Sequence, residues 1–291
     1  MSTKTSIEWT EQTWNPAVGC SKVSPGCANC YAEVMARRLH AMRVKGYENG
    51  FRLTLLPERL HEPIRRKRPT VYFVNSMSDL FHEEIPDDYL VRVLEVIQQA
   101  PQHTFQILTK RAERMAEFFH GRQLPRNAWL GVTVENRAHG LPRVDALRQI
   151  SAYVRFISAE PLLENLAEID LTGIHWVIVG GESGPKARQM NPEWVLNIKR
   201  MCEEQGAAFF FKQWGGWSVD GKKGSKKQNG RVLDGRTWDA SPQPARQQYR
   251  DAKAAFRHDD TLPVLNHDEP RVGTLRSIYP PVRVSKNEFE S

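Results

Sequence analysis

Short apolar runs rich in Val, Ile, Phe and Trp recur along this chain, each ending in polar residues: Val71–Val74, Thr104–Leu108, Trp129–Val132, Val154–Ile157, Trp176–Val179 and Ala208–Phe211. Such runs read as buried strands. Helical patterns lie between them. Leu90, Val91, Leu94 and Ile97 mark a helix over Asp87–Ala100, and shorter ones fall at Arg111–Phe119 and Leu141–Ile150. A further helix over Asn191–Gln205 has an N-cap at Asn191, Pro192 at the first helical position and Gly206 just past its end. At the N-terminal end, Ile7–Trp14 leads into a first strand expected to end at Cys20. Tyr31, Val34, Met35, Leu39 and Met42 then place a helix over residues 30–44. Strands alternating with helices predict right-handed βαβ units and a parallel sheet. The fold class is therefore α/β, a partial or near-closed TIM-like (β/α) barrel of about six to seven parallel strands.

In such a barrel the chemistry sits at the C-terminal ends of the strands. The residues after each run therefore read as one rim: Asn75-Ser76-Met77-Ser78-Asp79, Thr109-Lys110-Arg111, Thr133-Val134-Glu135-Asn136, Ser158-Ala159-Glu160-Pro161, Gly180-Gly181-Glu182-Ser183-Gly184 and Lys212-Gln213-Trp214. Strands end in polar loops anyway, so each residue taken singly reads equally well as a solvated strand end or an internal salt bridge. It is the succession of carboxylates, lysines and amides that points to a site.

The chain has 291 residues, of which 40% are hydrophobic and 26% charged, as in an ordinary globular protein. Apolar density falls beyond Pro244, so the barrel is assigned to residues 1–244 and a weakly structured tail to 245–291. No apolar run is long enough for a membrane span, and MSTKTSIEW has no apolar signal core, so a cytoplasmic protein with no membrane partner is expected. The net charge of +7 is compatible with a nucleic acid or nucleotide as partner. Arg65-Arg66-Lys67-Arg68 is either a solvated face or a phosphate-binding run, and the glycine- and lysine-rich stretch 215–230 reads as a basic loop.

Three of the four cysteines, Cys20, Cys27 and Cys30, stand in WNPAVGCSKVSPGCANCYAE with the spacing C-x6-C-x2-C. Three thiolates on one loop suit a soft metal or an iron–sulfur cluster, and Ser24, Pro25 and Gly26 let the chain wrap around it. Structural zinc sites and electron-transfer clusters take four protein ligands, whereas three leave an open position. A zinc site closed by His40, or simple packing or a labile disulfide, are the competing readings. Cys202 falls on one helical face with Val195 and Ile198 and reads as a core residue. No Walker, zincin or nucleophile-elbow motif occurs.

The cysteine segment resembles that of radical S-adenosylmethionine (SAM) enzymes. GCSKVSPGCANCYAE is more closely similar to a three-cysteine-motif family common in phages and bacterial genomes. The resemblance extends over roughly residues 5–244 through LTKR, AEPLL, VGGESG, FFKQWG and GRVLDGRTWDASP. It implies a partial barrel whose cluster loop follows strand one. It also implies a [4Fe–4S] cluster on Cys20, Cys27 and Cys30, S-adenosyl-L-methionine on its free iron, and an electron donor such as flavodoxin or ferredoxin. By the same token Ser76, Ser78 and Asp79 would accept the cofactor's ammonium. Lys110, set as in the spore photoproduct lyase type, would hold its carboxylate, and Glu135, Asn136 or Glu160 its ribose. Glu182, Lys212 and Gln213 would face the substrate. The alternative from another class is a zinc-stabilised nucleic-acid-binding protein without catalysis.

Overall fold

A computed structural model describes residues 3–242; the tail assigned to 245–291 lies outside the described residues. Seven parallel strands form one curled sheet in chain order: β1 (Gln12–Trp14), β2 (Val71–Val74), β3 (Thr104–Thr109), β4 (Ala128–Thr133), β5 (Arg155–Ala159), β6 (Trp176–Gly180) and β7 (Ala208–Gln213). Each pairs with the next in parallel register, for example Val74 with Ile107, Ile107 with Leu130 and Ile157 with Val177. The sheet is the expected α/β half-barrel, and it stays open between β1 and β7. Both edges are covered by chain. Thr3–Lys4 pairs antiparallel with β1, and the returning segment bridges Asp239 to Phe210 and bonds Phe211 N–H to the Trp238 carbonyl.

Among the described residues the longer helices are α1 (Tyr31–Ala41), α2 (Asp87–Gln99), α3 (Ala112–Phe119), α4 (Arg137–Arg148) and α5 (Pro192–Gln205), with a one-turn helix at Lys226–Asn229 after β7. Strand alternation divides the core. Tyr72, Val74, Phe105, Ile107, Leu130, Val132, Val177 and Phe211 point to the convex face and pack with buried residues of α2 to α5. Phe73, Trp129, Phe156, Trp176, Ile178 and Phe210 line the concave face. Trp9 enters from before β1, its ring 4.7 Å from Phe73 and 6.1 Å from Trp176, and fills the lower half of the barrel with aromatic side chains. The next residues up on the same face are polar, which sets a floor of rings under a polar mouth.

Helix α5 forms as expected: Asn191 accepts from Glu193 N–H, and Gly206 takes the left-handed conformation that closes the helix. Cys202 is buried in the core on its inner face. Burial pushes its thiol up to about 12. Cys202→Ala should cost about 1–2 kcal/mol, as a small apolar truncation. It should leave iron content unchanged; urea melts beside an iron assay check both.

Three expectations are corrected. The first strand ends at Trp14, not Cys20. The chain then forms a separate ribbon, Ala17–Val18 against Thr54–Leu55. Helix α4 begins at Arg137, four residues before the expected start, because Asn136 caps it and Pro142 sits inside it. Helix α1 forms, but Tyr31, Val34, Met35 and Met42, which marked it in the sequence, are exposed. It docks through Ala32 and Ala36 on a small cluster with Val18, Tyr47, Leu56 and Met77, since it packs on the ribbon and not on the sheet.

Candidate functional site

The thiol loop is held at the mouth from several sides. Gly19 N–H bonds the Met77 carbonyl at 2.9 Å, and Cys20 N–H bonds the Phe51 carbonyl at 3.1 Å. Gly19 has φ +83, and a Cβ there would lie 2.1 Å from the Arg52 carbonyl oxygen, so only glycine fits before Cys20. A 3₁₀ turn, Pro25–Cys27, carries the second cysteine. Cys30 is the extended N-cap of α1. All three thiols are free and half-buried. Burial pushes Cys20 up to about 11, with Asp79 adding to the push and Arg111 opposing it. Among the described residues no three Cys, His, Asp or Glu side chains converge as a ready-made metal site. The donor set nonetheless suits an iron–sulfur cluster: three soft, unpaired ligands on one loop, without a fourth. His40, the candidate fourth ligand of a zinc site, lies near the end of α1 with its Nδ1 2.8 Å from the Tyr47 carbonyl.

Several rim residues are engaged by other groups of the protein. Glu182, expected to face the substrate, is buried and receives Arg188 N–H at 2.8 Å, Arg188 Nη2 at 2.5 Å and Asn29 Nδ2 at 3.0 Å. Arg188 in turn donates to the Pro25 carbonyl. Burial would raise the Glu182 pKa, but these donors hold it below the usual carboxylate range. The loop after β6 thus clamps the thiol loop through Asn29 and Pro25. Asp79 is also buried: its Oδ1 accepts Thr109 Oγ1–H at 2.7 Å and Phe81 N–H at 3.0 Å, and its Oδ2 accepts Lys110 N–H at 3.0 Å. Ser76 Oγ donates to Asn15 Oδ1, and Ser78 Oγ to the Ala17 carbonyl. Asn136 spends its side-chain oxygen capping α4. These contacts use the Ser76 and Ser78 hydroxyl protons and the Asn136 amide oxygen, and leave both hydroxyl oxygens able to accept.

Other residues are placed for a ligand. Lys212 Nζ stands 2.8 Å from both Glu160 oxygens, a pair spanning β5 and β7 on the concave face, with Gln213 Nε2 at 3.3 Å. Glu135 is fully buried, and its Oε2 accepts Arg143 Nη1 at 2.6 Å. Its Oε1 has no hydrogen-bond partner among the described residues, and a Cβ on Gly26 would lie 3.1 Å from it, so Glu135 sits directly under the thiol loop. Burial would raise its pKa, but the nearby Ser24 hydroxyl and Arg143 hold it below the usual carboxylate range. Lys110 is half-buried close enough to Glu135 to add to that effect.

Two residues were missed. Asn75, at the end of β2, adopts φ +57, and both polar atoms of its buried amide are unpaired. A buried orphan amide needs an explanation, and a ligand is one. The rim position was legible, but its left-handed backbone was not. Tyr31 donates its hydroxyl to the Ser76 carbonyl at the mouth; read as a core position of α1, it gave no signal of this.

Fold and site together define a parallel half-barrel carrying a three-thiol loop over a polar mouth. The chain belongs to the family described as protein of unknown function (DUF5131), whose model matches residues 4–242. No curated protein matches it. Among solved structures it is similar to spore photoproduct lyase complexed with dinucleoside spore photoproduct, at 10% identity and a TM-score of 0.43, covering 88% of this chain and 75% of that one. A double mutant of the same enzyme with bound AdoMet and dinucleoside spore photoproduct matches at 11% identity and a TM-score of 0.42, with the same coverage. No helix among the described residues is long and apolar enough to cross a membrane.

Proposed function

We propose that this chain is a radical SAM-type enzyme whose cluster is held by Cys20, Cys27 and Cys30. The observation that carries the reading is the placement of three free thiols on one clamped loop directly over the polar mouth of the half-barrel. When bound, such a cluster with an open iron supplies reductive cleavage of S-adenosylmethionine and a 5′-deoxyadenosyl radical. The chain's own residues bind and orient. Lys110 is the cation for the cofactor carboxylate. The unpaired Asn75 amide takes over from Asp79 as an acceptor for the ammonium. Glu135 and Glu160 offer carboxylate oxygens to the ribose hydroxyls. Lys212, held by Glu160, and Gln213 lie on the strand farthest from the thiol loop along the sheet and face the substrate. The aromatic floor around Trp9 keeps water from entering the mouth from below.

A nucleic acid or nucleotide substrate remains the reading of the net charge. The Arg65–Arg68 run does not contribute at the mouth, because it precedes β2 and lies at the opposite end of the barrel. The lysine-rich stretch follows β7, and its Lys226 is engaged by Glu8 at 2.8 Å.

Anaerobic reconstitution followed by a SAM-cleavage assay tests the function. About four iron and four sulfide per chain are expected, with slow release of methionine and 5′-deoxyadenosine once a reductant is added. Stoichiometric zinc in freshly purified protein, with no cleavage after reconstitution, would sink it.

The barrel is taken as one domain to residue 244, with the tail dispensable. The segment that covers β7 is complete by Asp239, so truncation after Pro244 should leave soluble protein with the same iron content. Insoluble protein, or a large fall in iron, would contradict that boundary.

A further inference from the structure

Arg111 stands just past the end of β3, yet its side chain is only 8% exposed. It reaches back to a segment about 90 residues earlier in the chain. Its Nη2 donates to the Ser21 hydroxyl at 2.7 Å and to the Ser21 carbonyl at 3.2 Å. Nε donates to Glu83 at 2.8 Å. Nη1 lies 3.4 Å from Asp79 Oδ2 and donates to Cys20 Sγ at 3.5 Å. Ser21 is held further by His82 Nε2 at 2.9 Å and by its own bond to Glu83. The guanidinium fork therefore fixes both the backbone after Cys20 and the sulfur itself. The other two thiols are treated differently. Cys27 Sγ has only the Ser24 hydroxyl at 3.9 Å, and no charged donor reaches Cys30 among the described residues.

We propose that Arg111 is a positioning residue for Cys20 and that its N–H bond to the Cys20 sulfur raises the reduction potential of the cluster held there; this rests on the radical SAM-type reading. Hydrogen bonds to ligand sulfurs and local charge are among the levers that set such potentials. A cationic donor stabilises the more negative, reduced state, and it does so at one corner of the cluster only. Asp79 and Glu83 hold the guanidinium in place, so the bond is present before any metal arrives.

The test is an EPR-monitored redox titration of full-length, anaerobically reconstituted wild type, Arg111→Lys and Arg111→Gln, with iron counted in each sample. Arg111→Lys keeps the charge but loses the planar fork, whereas Arg111→Gln loses both. At a fixed potential the reduced-to-oxidised ratio should fall about tenfold in Arg111→Gln, as for loss of one charge-assisted hydrogen bond. That is a downward shift of about 59 mV for one electron. Arg111→Lys should fall between the two, with iron retained. Wild-type potentials in both variants would overturn the inference while leaving the cluster reading intact. Loss of iron from folded Arg111→Gln with an unchanged potential in Arg111→Lys would reduce Arg111 to a loop clamp and overturn it as well. If Arg111→Gln does not fold, Arg111→Lys alone is read, and an unchanged potential there overturns the proposal. A wild type that takes up no cluster is a different failure, that of the radical SAM-type reading itself.

Discussion

Alanine at Cys20, Cys27 or Cys30 should each strip most of the iron from anaerobically reconstituted protein, from about four per chain to less than about one. Two thiolates cannot hold a cubane that already has one iron without a protein ligand, so no one of the three is dispensable. The three variants should differ in what else they lose. Cys30 is the N-cap of α1 and makes no side-chain cap bond, so its loss should leave the helix intact. Cys20 is tied to Arg111, and its replacement removes one acceptor from a guanidinium that keeps Glu83 and Asp79. None of the three replacements should therefore unfold the barrel. Iron lost with an unchanged unfolding midpoint is the expected signature. Iron retained in any single variant would mean that the thiol is not a ligand, and iron lost on changing Cys202 would mean a closed four-cysteine cluster with no place for a cofactor.

Strands β2 to β7 were legible because each is a short β-branched or aromatic run between polar stretches, and a parallel sheet buried on both faces leaves that record in sequence, whereas the short β1, Gln-Thr-Trp, leaves none. The site was legible in its place and not in its partners. Reading the strand ends as one rim put Lys110, Glu135, Glu160 and Lys212 at the mouth, where the structure has them. It could not show that Glu182 would meet Arg188, six residues on in the same loop, and Asn29 of the thiol loop, or that Asp79 would be surrounded by donors from β3 and α3. Those pairings are set by how the loops fold, and a carboxylate waiting for a ligand has the same letter as one already bonded. Asn136 was ambiguous for a related reason: an Asn after a strand is also an Asn before a helix, and here its amide oxygen caps α4 at His139 N–H. Helix α1 misled in the opposite sense, because its large apolar residues face outward and its alanines face in.

Asp79→Ala should destabilise the protein and lower its iron content together. Had Asp79 been the ammonium acceptor, the variant would keep both and lose only affinity for the cofactor. The carboxylate is 7% exposed and receives Thr109 Oγ1, the backbone N–H groups of Phe81 and Lys110, and Arg111 Nη1. It joins the loop after β2 to the end of β3 and the start of α3. Removing it leaves those buried donors unmatched and strands the Arg111 guanidinium with only the exposed Glu83 as an ionic partner. Breaking one side of a buried charge pair costs about 3–5 kcal/mol. For a domain of this size that is a fall of roughly 10 °C in Tm. Arg111 then loses one of the two carboxylates that aim it at Ser21 and Cys20, so the thiol loop loosens and reconstituted iron should fall to about half or less of wild type, as for loss of an outer-shell partner. Asp79→Asn keeps the shape but presents an NH₂ group to a set of donors, so it should lie between the two. Thermal melts and iron counts on the same preparations decide the matter: a folded, fully loaded Asp79→Ala protein with weakened SAM binding would return Asp79 to the cofactor.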